Sequence, residues 1–299
     1  MKSFFLLLSV LSLGMCGTNK QNSKEQSNNK SIEYREDTLI SKIKTKPEIV
    51  DKLSTNKNSV DLSKTNNPKN SFDQDSILNN IQSKITLATN EAFTKRNTLK
   101  LDELEKLLTN NNKENNNLFN YWIAYINYYK TIVYMQNKDK EKGLISNTKS
   151  IKILEQNNNK NSDDYALLVL AKGLSYTFAS GMDSILISKD ISNYLKDGFK
   201  LDISNLRLYY AQGSLDFYTP KEYGGGKKVE ESLLKALSLQ DKNAENNILP
   251  TWGKEESYGL LIRFYIDNDQ KQEAINQYKE IKKNYPNSYI VNMYKSKLE

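Results

Sequence analysis

Apolar residues recur at intervals of three and four from Ser71 onward, the spacing of helices that bury one face. Ile77, Ile81, Ile85 and Ala88 form one stripe, and Leu101, Leu104, Leu107 and Leu108 a shorter one. The run from Tyr121 to Tyr134 is apolar nearly all round, which predicts a central helix. Its partner is expected over Asp139–Gln156, with Gly143 where two helices approach closely. A buried helix follows over Asp163–Gly181, with Ser162 as its N-cap. Further helices are expected over Ile185–Phe199, Ser204–Phe217 and Val229–Leu239. Glycine is scarce and proline is nearly confined to boundaries, so the expectation is an all-α domain of antiparallel helix hairpins over 71–299.

The last hairpin has the most regular spacing. Tyr258, Leu261 and Tyr265 lie on one helical face, Ala274 and Tyr278 on the next helix, and Pro286 stops the second helix. Asp269 with Gln272 reads as a capping box that opens that second helix. The order of large, small and proline positions resembles one tetratricopeptide unit, clearest over 255–288. Such a unit cannot bury its apolar face alone, so the fold it implies is a tetratricopeptide-like α-solenoid. Ile262 and Ile281 are bulkier than the residues usual at those positions of the repeat.

Two loops extend the resemblance. Thr219-Pro220 is followed by Tyr223-Gly224-Gly225-Gly226, and Pro250-x-Trp252-Gly253 opens the last hairpin. Together with the aromatic helix, they resemble a group of exported bacterial tetratricopeptide-repeat proteins that carry a TP-x-x-(F/Y)-GG loop and a P-x-WG loop. The resemblance spans roughly Leu118 to Leu298 and implies a helical-repeat protein without an assigned reaction. The three glycines serve a turn between packed helices, and an anion cradle helped by Lys227 and Lys228 is the alternative. A phosphate loop is excluded by spacing. Trp252 is expected as a packing anchor.

The amino-terminal segment has another character. Lys2 and the apolar run Phe4–Leu13 form a signal peptide over 1–15, too short to span a bilayer. Leu13-Gly14-Met15-Cys16 resembles a lipobox, with Cys16 lipidated as the first mature residue; cleavage after Gly14 is the alternative. A lone cysteine at the end of the apolar run favours the lipoprotein. Residues 16–70 are rich in Asn, Lys and Ser without sustained periodicity, which predicts a disordered tether. As a flexible coil, it would span roughly 40 Å.

Composition narrows the chemistry. The 299 residues include no histidine and one cysteine, which excludes His-dependent triads, His/Cys metal sites and an internal disulfide. No cofactor and no metal are expected. The net charge of +7 comes from lysines spread among many acids, without an arginine cluster, so nucleic acid is not an expected partner. The pairs Asp163-Asp164 and Glu255-Glu256 sit near helix starts, where they favour the dipole, and adjacent helical positions do not form a catalytic dyad. Repeat geometry turns Glu256, Gly259, Arg263 and Ile266 toward the concave face, with Arg263 as the candidate partner contact. The expected function is therefore a non-catalytic lipoprotein of the bacterial cell envelope that binds a protein or peptide through its helices. The alternative is a small-molecule-binding accessory lipoprotein of a transport system.

Overall fold

The computed structural model describes residues 76–299. The expected signal peptide (1–15), the lipidation site Cys16 and the tether (16–70) lie outside the described residues.

After a short helical stretch at 76–78, eleven α-helices follow one another without a strand among the described residues. They are α1 (Ile81–Lys95), α2 (Leu99–Asn111), α3 (Asn117–Gln136), α4 (Lys140–Gln156), α5 (Ser162–Leu174), α6 (Met182–Leu201), α7 (Leu206–Tyr218), α8 (Val229–Ser238), α9 (Lys254–Asp267), α10 (Lys271–Asn284) and α11 (Tyr289–Leu298). The helices pack as neighbouring pairs, α1 with α2 through α9 with α10, and α11 packs on α10. First helices also touch across pairs: α1 with α3, α3 with α5, α5 with α7 and α7 with α9. This is an all-α, repeat-like arrangement. No described helix is long and apolar enough to cross a membrane.

Short polar residues start these helices. Asn116, Asp139, Asn161, Asn205 and Ser288 each accept a backbone N–H from the first turn they precede. At α5 the cap is Asn161 rather than the expected Ser162. Its side chain takes the N–H groups of Asp163 and Asp164, and the Asp164 carboxylate takes the Asn161 N–H at 2.9 Å. Ser162 instead lies in the first turn, where its hydroxyl accepts from Asn205.

The same turn closes two hairpins. After α3, Asn137 bonds Val133, Lys138 bonds Met135 and Asp139 bonds Tyr134; after α9, Asn268 bonds Phe264, Asp269 bonds Ile266 and Gln270 bonds Tyr265. Lys138 and Asp269 adopt the left-handed region, φ 62° and 59°. These are the 6→1 and 5→2 closures that satisfy a helix's last carbonyls. Asp269 is thus the left-handed turn residue, and the expected Asp269–Gln272 capping box is absent: α10 begins at Lys271 with no side-chain cap.

The main core is built on α3, where Phe119, Trp122, Ala124 and Ile126 are fully buried. Leu101 and Leu108 of α2 join it, but Leu107 is 43% exposed and Glu105 is buried in its place. Glu105 faces α3, where Lys130 and Asn127 hold it, and Lys149 of α4 adds a third contact. In the last hairpin Leu261, Tyr265, Ala274 and Tyr278 are buried, Tyr258 is half-buried and Pro286 is exposed two residues past the end of α10. Ile262 and Ile281 are fully buried and fill the contact with Ile290, Val291 and Tyr294 of α11. At Gly143 a Cβ would stand 3.0 Å from the Met135 sulfur, so the small residue sets the close approach of α4 to α3.

Candidate binding cavity

The loop between α8 and α9 is tied down by both tryptophans. Trp122 Nε1 donates to the Ile248 carbonyl at 2.9 Å, and Trp252 Nε1 donates to the Tyr121 hydroxyl at 2.7 Å. Trp252 is 3% exposed and stacks near Tyr125, with centroids 6.1 Å apart. It is a packing anchor between α3 and α7. Gly253 follows it at φ 117°, where a Cβ would meet Leu206 at 2.7 Å. Pro250 supplies a carbonyl to Asn243.

Beneath that loop lies a buried ionic knot absent from the sequence-based expectations. Arg207, 3% exposed, donates Nε to Asp163 at 2.7 Å and both Nη atoms to Asp241 at 3.1 Å. Its Nη1 also reaches the Trp252 carbonyl at 3.2 Å. The knot lines a polar cleft of about 550 Å³ at the starts of α3, α5 and α7. The principal charges there are matched: Asp202 pairs with Lys242 and Asp164 serves the α5 cap. The cleft is therefore accounted for by structure.

The glycine loop is likewise structural. The N–H groups of Gly224, Gly225 and Gly226 donate to Lys221, Pro220 and Asp216 carbonyls, so none is free to cradle an anion. Gly224 and Gly226 take φ 87° and 84°, as a turn with left-handed residues requires. Thr219 caps α7 through Leu215, and Pro220 continues into the turn.

A different cavity, about 160 Å³, is walled by α3, α5, α7, α9 and α11. Its lining is largely apolar apart from tyrosines, Ser214, Thr219, one arginine and one carboxylate. Tyr128 and Tyr129 come from α3, Tyr210 and Tyr218 from α7, and Tyr289 from α11. From α9 come Glu256, Gly259 and Arg263, three of the four positions expected on the concave face. Ile266, the fourth, packs instead among the buried residues of the last hairpin.

The polar groups of this cavity are incompletely used. Tyr125 and Tyr129 share a hydroxyl contact at 3.2 Å. Among the described residues, nothing hydrogen-bonds the hydroxyls of Tyr128, Tyr210, Tyr218 or Tyr289. Burial pushes the Tyr218 hydroxyl up to about 12 and those of Tyr128, Tyr129 and Tyr210 higher still, so all remain protonated donors near neutrality. Arg263 donates Nε to both carboxylate oxygens of Asp267 at 2.8 Å. Glu256 Oε2 accepts the Gly253 N–H at 2.7 Å and so caps α9. No cation pairs with Glu256 among the described residues. Burial holds its carboxyl above the ordinary range, Gly253 opposing that shift and the Glu255 charge adding to it.

No family model, curated protein or solved structure matches this chain.

Proposed function

We propose that the chain is a non-catalytic binding protein of the bacterial cell envelope, anchored through a lipidated Cys16. Its tetratricopeptide-like helices bind a protein or peptide, as a scaffold or assembly factor. The observation that carries this reading is the cavity to which five odd-numbered helices contribute, with unpartnered tyrosine hydroxyls and a carboxylate that no cation pairs with among the described residues. Tyrosine offers contact area with a polar tip, the composition favoured at recognition surfaces. The cavity is close in size to one of about 150 Å³ that holds a benzene-sized group. That volume suits a single inserted side chain better than a large substrate. The recurrent turn at Asn137–Asp139 and Asn268–Gln270 supports the repeat reading.

The second reading, a small-molecule-binding accessory of a transport system, draws on the same cavity, because a compact pocket walled by five helices also suits a small ligand.

A pull-down from membranes, with intact mass, tests the reading. The native chain should carry an acyl mass that Cys16→Ala lacks, and should retain a discrete partner. A mature chain that starts at Met15 and retains no partner would contradict the anchored scaffold. Arg263→Ala tests a separate contact to an acidic group of the partner and should weaken that partner's binding by about tenfold, the worth of a charge-assisted hydrogen bond. Unchanged affinity would remove Arg263 from the contact.

A further inference from the structure

Among the described residues, Glu256 is the only carboxylate on the wall of the tyrosine cavity. One of its oxygens caps α9, and no lysine or arginine pairs with it directly among the described residues, Arg207 acting on it only from a distance. Arg263, the one cation lining the cavity among the described residues, is held by Asp267. The remaining wall is mostly aromatic and aliphatic, with Ser214 and Thr219 adding hydroxyls and tyrosines approaching from α3, α7 and α11. Glu256's charge reaches Tyr128, Tyr129, Tyr210 and Tyr289, all four of which it helps to keep protonated. A carboxylate without a counter-cation, set among aromatic side chains, disfavours a second anion. The same setting favours a positive group whose alkyl surface touches rings while its charge meets the carboxylate. The volume accommodates a trimethylammonium head or the end of a lysine side chain.

We propose that this cavity binds an organic ammonium ion, held by Glu256 and the rings of Tyr128, Tyr129, Tyr210 and Tyr289, carried either by a free small cation or by a peptide. The assignment rests on the cavity being the binding site of the proposed function, and it specifies the chemistry of the ligand.

Choline and its uncharged isostere 3,3-dimethylbutan-1-ol have nearly the same shape, so their comparison isolates the charge. Isothermal titration of the full chain at constant ionic strength should show saturable choline binding, about tenfold or more tighter than the alcohol. Glu256→Gln keeps a carbonyl for the Gly253 cap, so it should melt cooperatively at or above the wild-type midpoint and erase that preference. Tyr128→Leu should weaken choline about threefold or more, whereas Tyr128→Phe, which keeps the ring, should not. A lysine tripeptide, its norleucine counterpart and butylamine distinguish the sources. Tighter binding of the lysine peptide than of butylamine assigns the ammonium to a peptide, and the reverse assigns it to a small molecule. Equal binding of choline and the alcohol overturns the ammonium assignment while leaving a ligand-binding cavity. If choline, butylamine and the lysine peptide all fail to bind, the ammonium assignment is overturned, and the pull-down judges the binding function separately. A choline preference that survives in Glu256→Gln also overturns it, because the carboxylate is then not its source.

Discussion

Replacing Arg207 by Met should unlock the loop that carries Trp252. The guanidinium is 3% exposed and makes four hydrogen bonds, to Asp163, to Asp241 through two nitrogens, and to the Trp252 carbonyl. Methionine fills much of the space but leaves two carboxylates, 13% and 10% exposed, without their counter-charge. Asp163 keeps amide contacts from Asn205 and Asn243, and Asp241 keeps one backbone N–H, so desolvation is only partly relieved. Breaking a buried pair in this way costs about 3–5 kcal/mol. For a domain of this size, each kcal/mol lowers the midpoint by about 2–4 °C, so the expected fall is about 6–20 °C. Thermal unfolding followed by far-ultraviolet circular dichroism measures it, and the near-ultraviolet signal of the stacked Trp252 should weaken below the transition. Adding Asp163→Asn and Asp241→Asn to Arg207→Met removes the stranded charges and should restore more than half of the loss. A cost under about 1 kcal/mol for Arg207→Met, the size of an exposed pair, would refute the knot as the clamp on this loop. So would a triple variant no more stable than the single one.

Two further substitutions test neighbouring parts of the argument. Gly225→Ala should destabilise more than Gly224→Ala although only Gly224 has positive φ, because a Cβ on Gly225 would stand 1.9 Å from the Thr219 carbonyl oxygen. Gly224→Ala meets no atom and should cost about 1–2 kcal/mol, the left-handed penalty alone; denaturant midpoints in the reverse order would contradict this loop geometry. Glu256→Gln should change the pH dependence of stability. Folding raises the Glu256 carboxyl above its ordinary 4.5, so the folded state keeps a proton that the unfolded state has released. Wild-type stability should therefore fall relative to Glu256→Gln as pH rises through 4.5 toward the raised value, with no divergence below both. The groups that act on this carboxyl are Tyr125, Tyr128 and Tyr129 of α3, Tyr210 of α7, Tyr285, Tyr289 of α11, Glu255 of α9 and Arg207, while Arg263 of α9 lines the same cavity. Parallel stability curves for the two proteins across that range would show that Glu256 is as well solvated folded as unfolded.

The helices themselves were written in local chemistry. Spacing located the apolar stripes, and Asn, Asp and Ser stand where first-turn N–H groups need acceptors, because a cap depends on residues two or three positions away. The last hairpin was legible for the same reason: Leu261, Tyr265, Ala274 and Tyr278 mark buried positions that repeat with the helix. Local pattern could not distinguish Asp269 as a capping residue from Asp269 as a left-handed turn, since both uses suit aspartate. Nor could it place Leu107 outside and Glu105 inside, because that choice depends on Lys130 and Lys149, which arrive from α3 and α4. Arg207 shows the limit most sharply. Its partners lie 44 and 34 residues away and meet it only after α5, α7 and the Trp252 loop have docked. The cavity is a tertiary product in the same sense. Glu256 reads alone as an acid suited to a helix start, Tyr128 belongs to the apolar run of the central helix, and nothing local marks Tyr210 and Tyr289 as their neighbours. Periodicity specifies that a face is covered, whereas packing decides what covers it and where a gap with a charge in its wall remains.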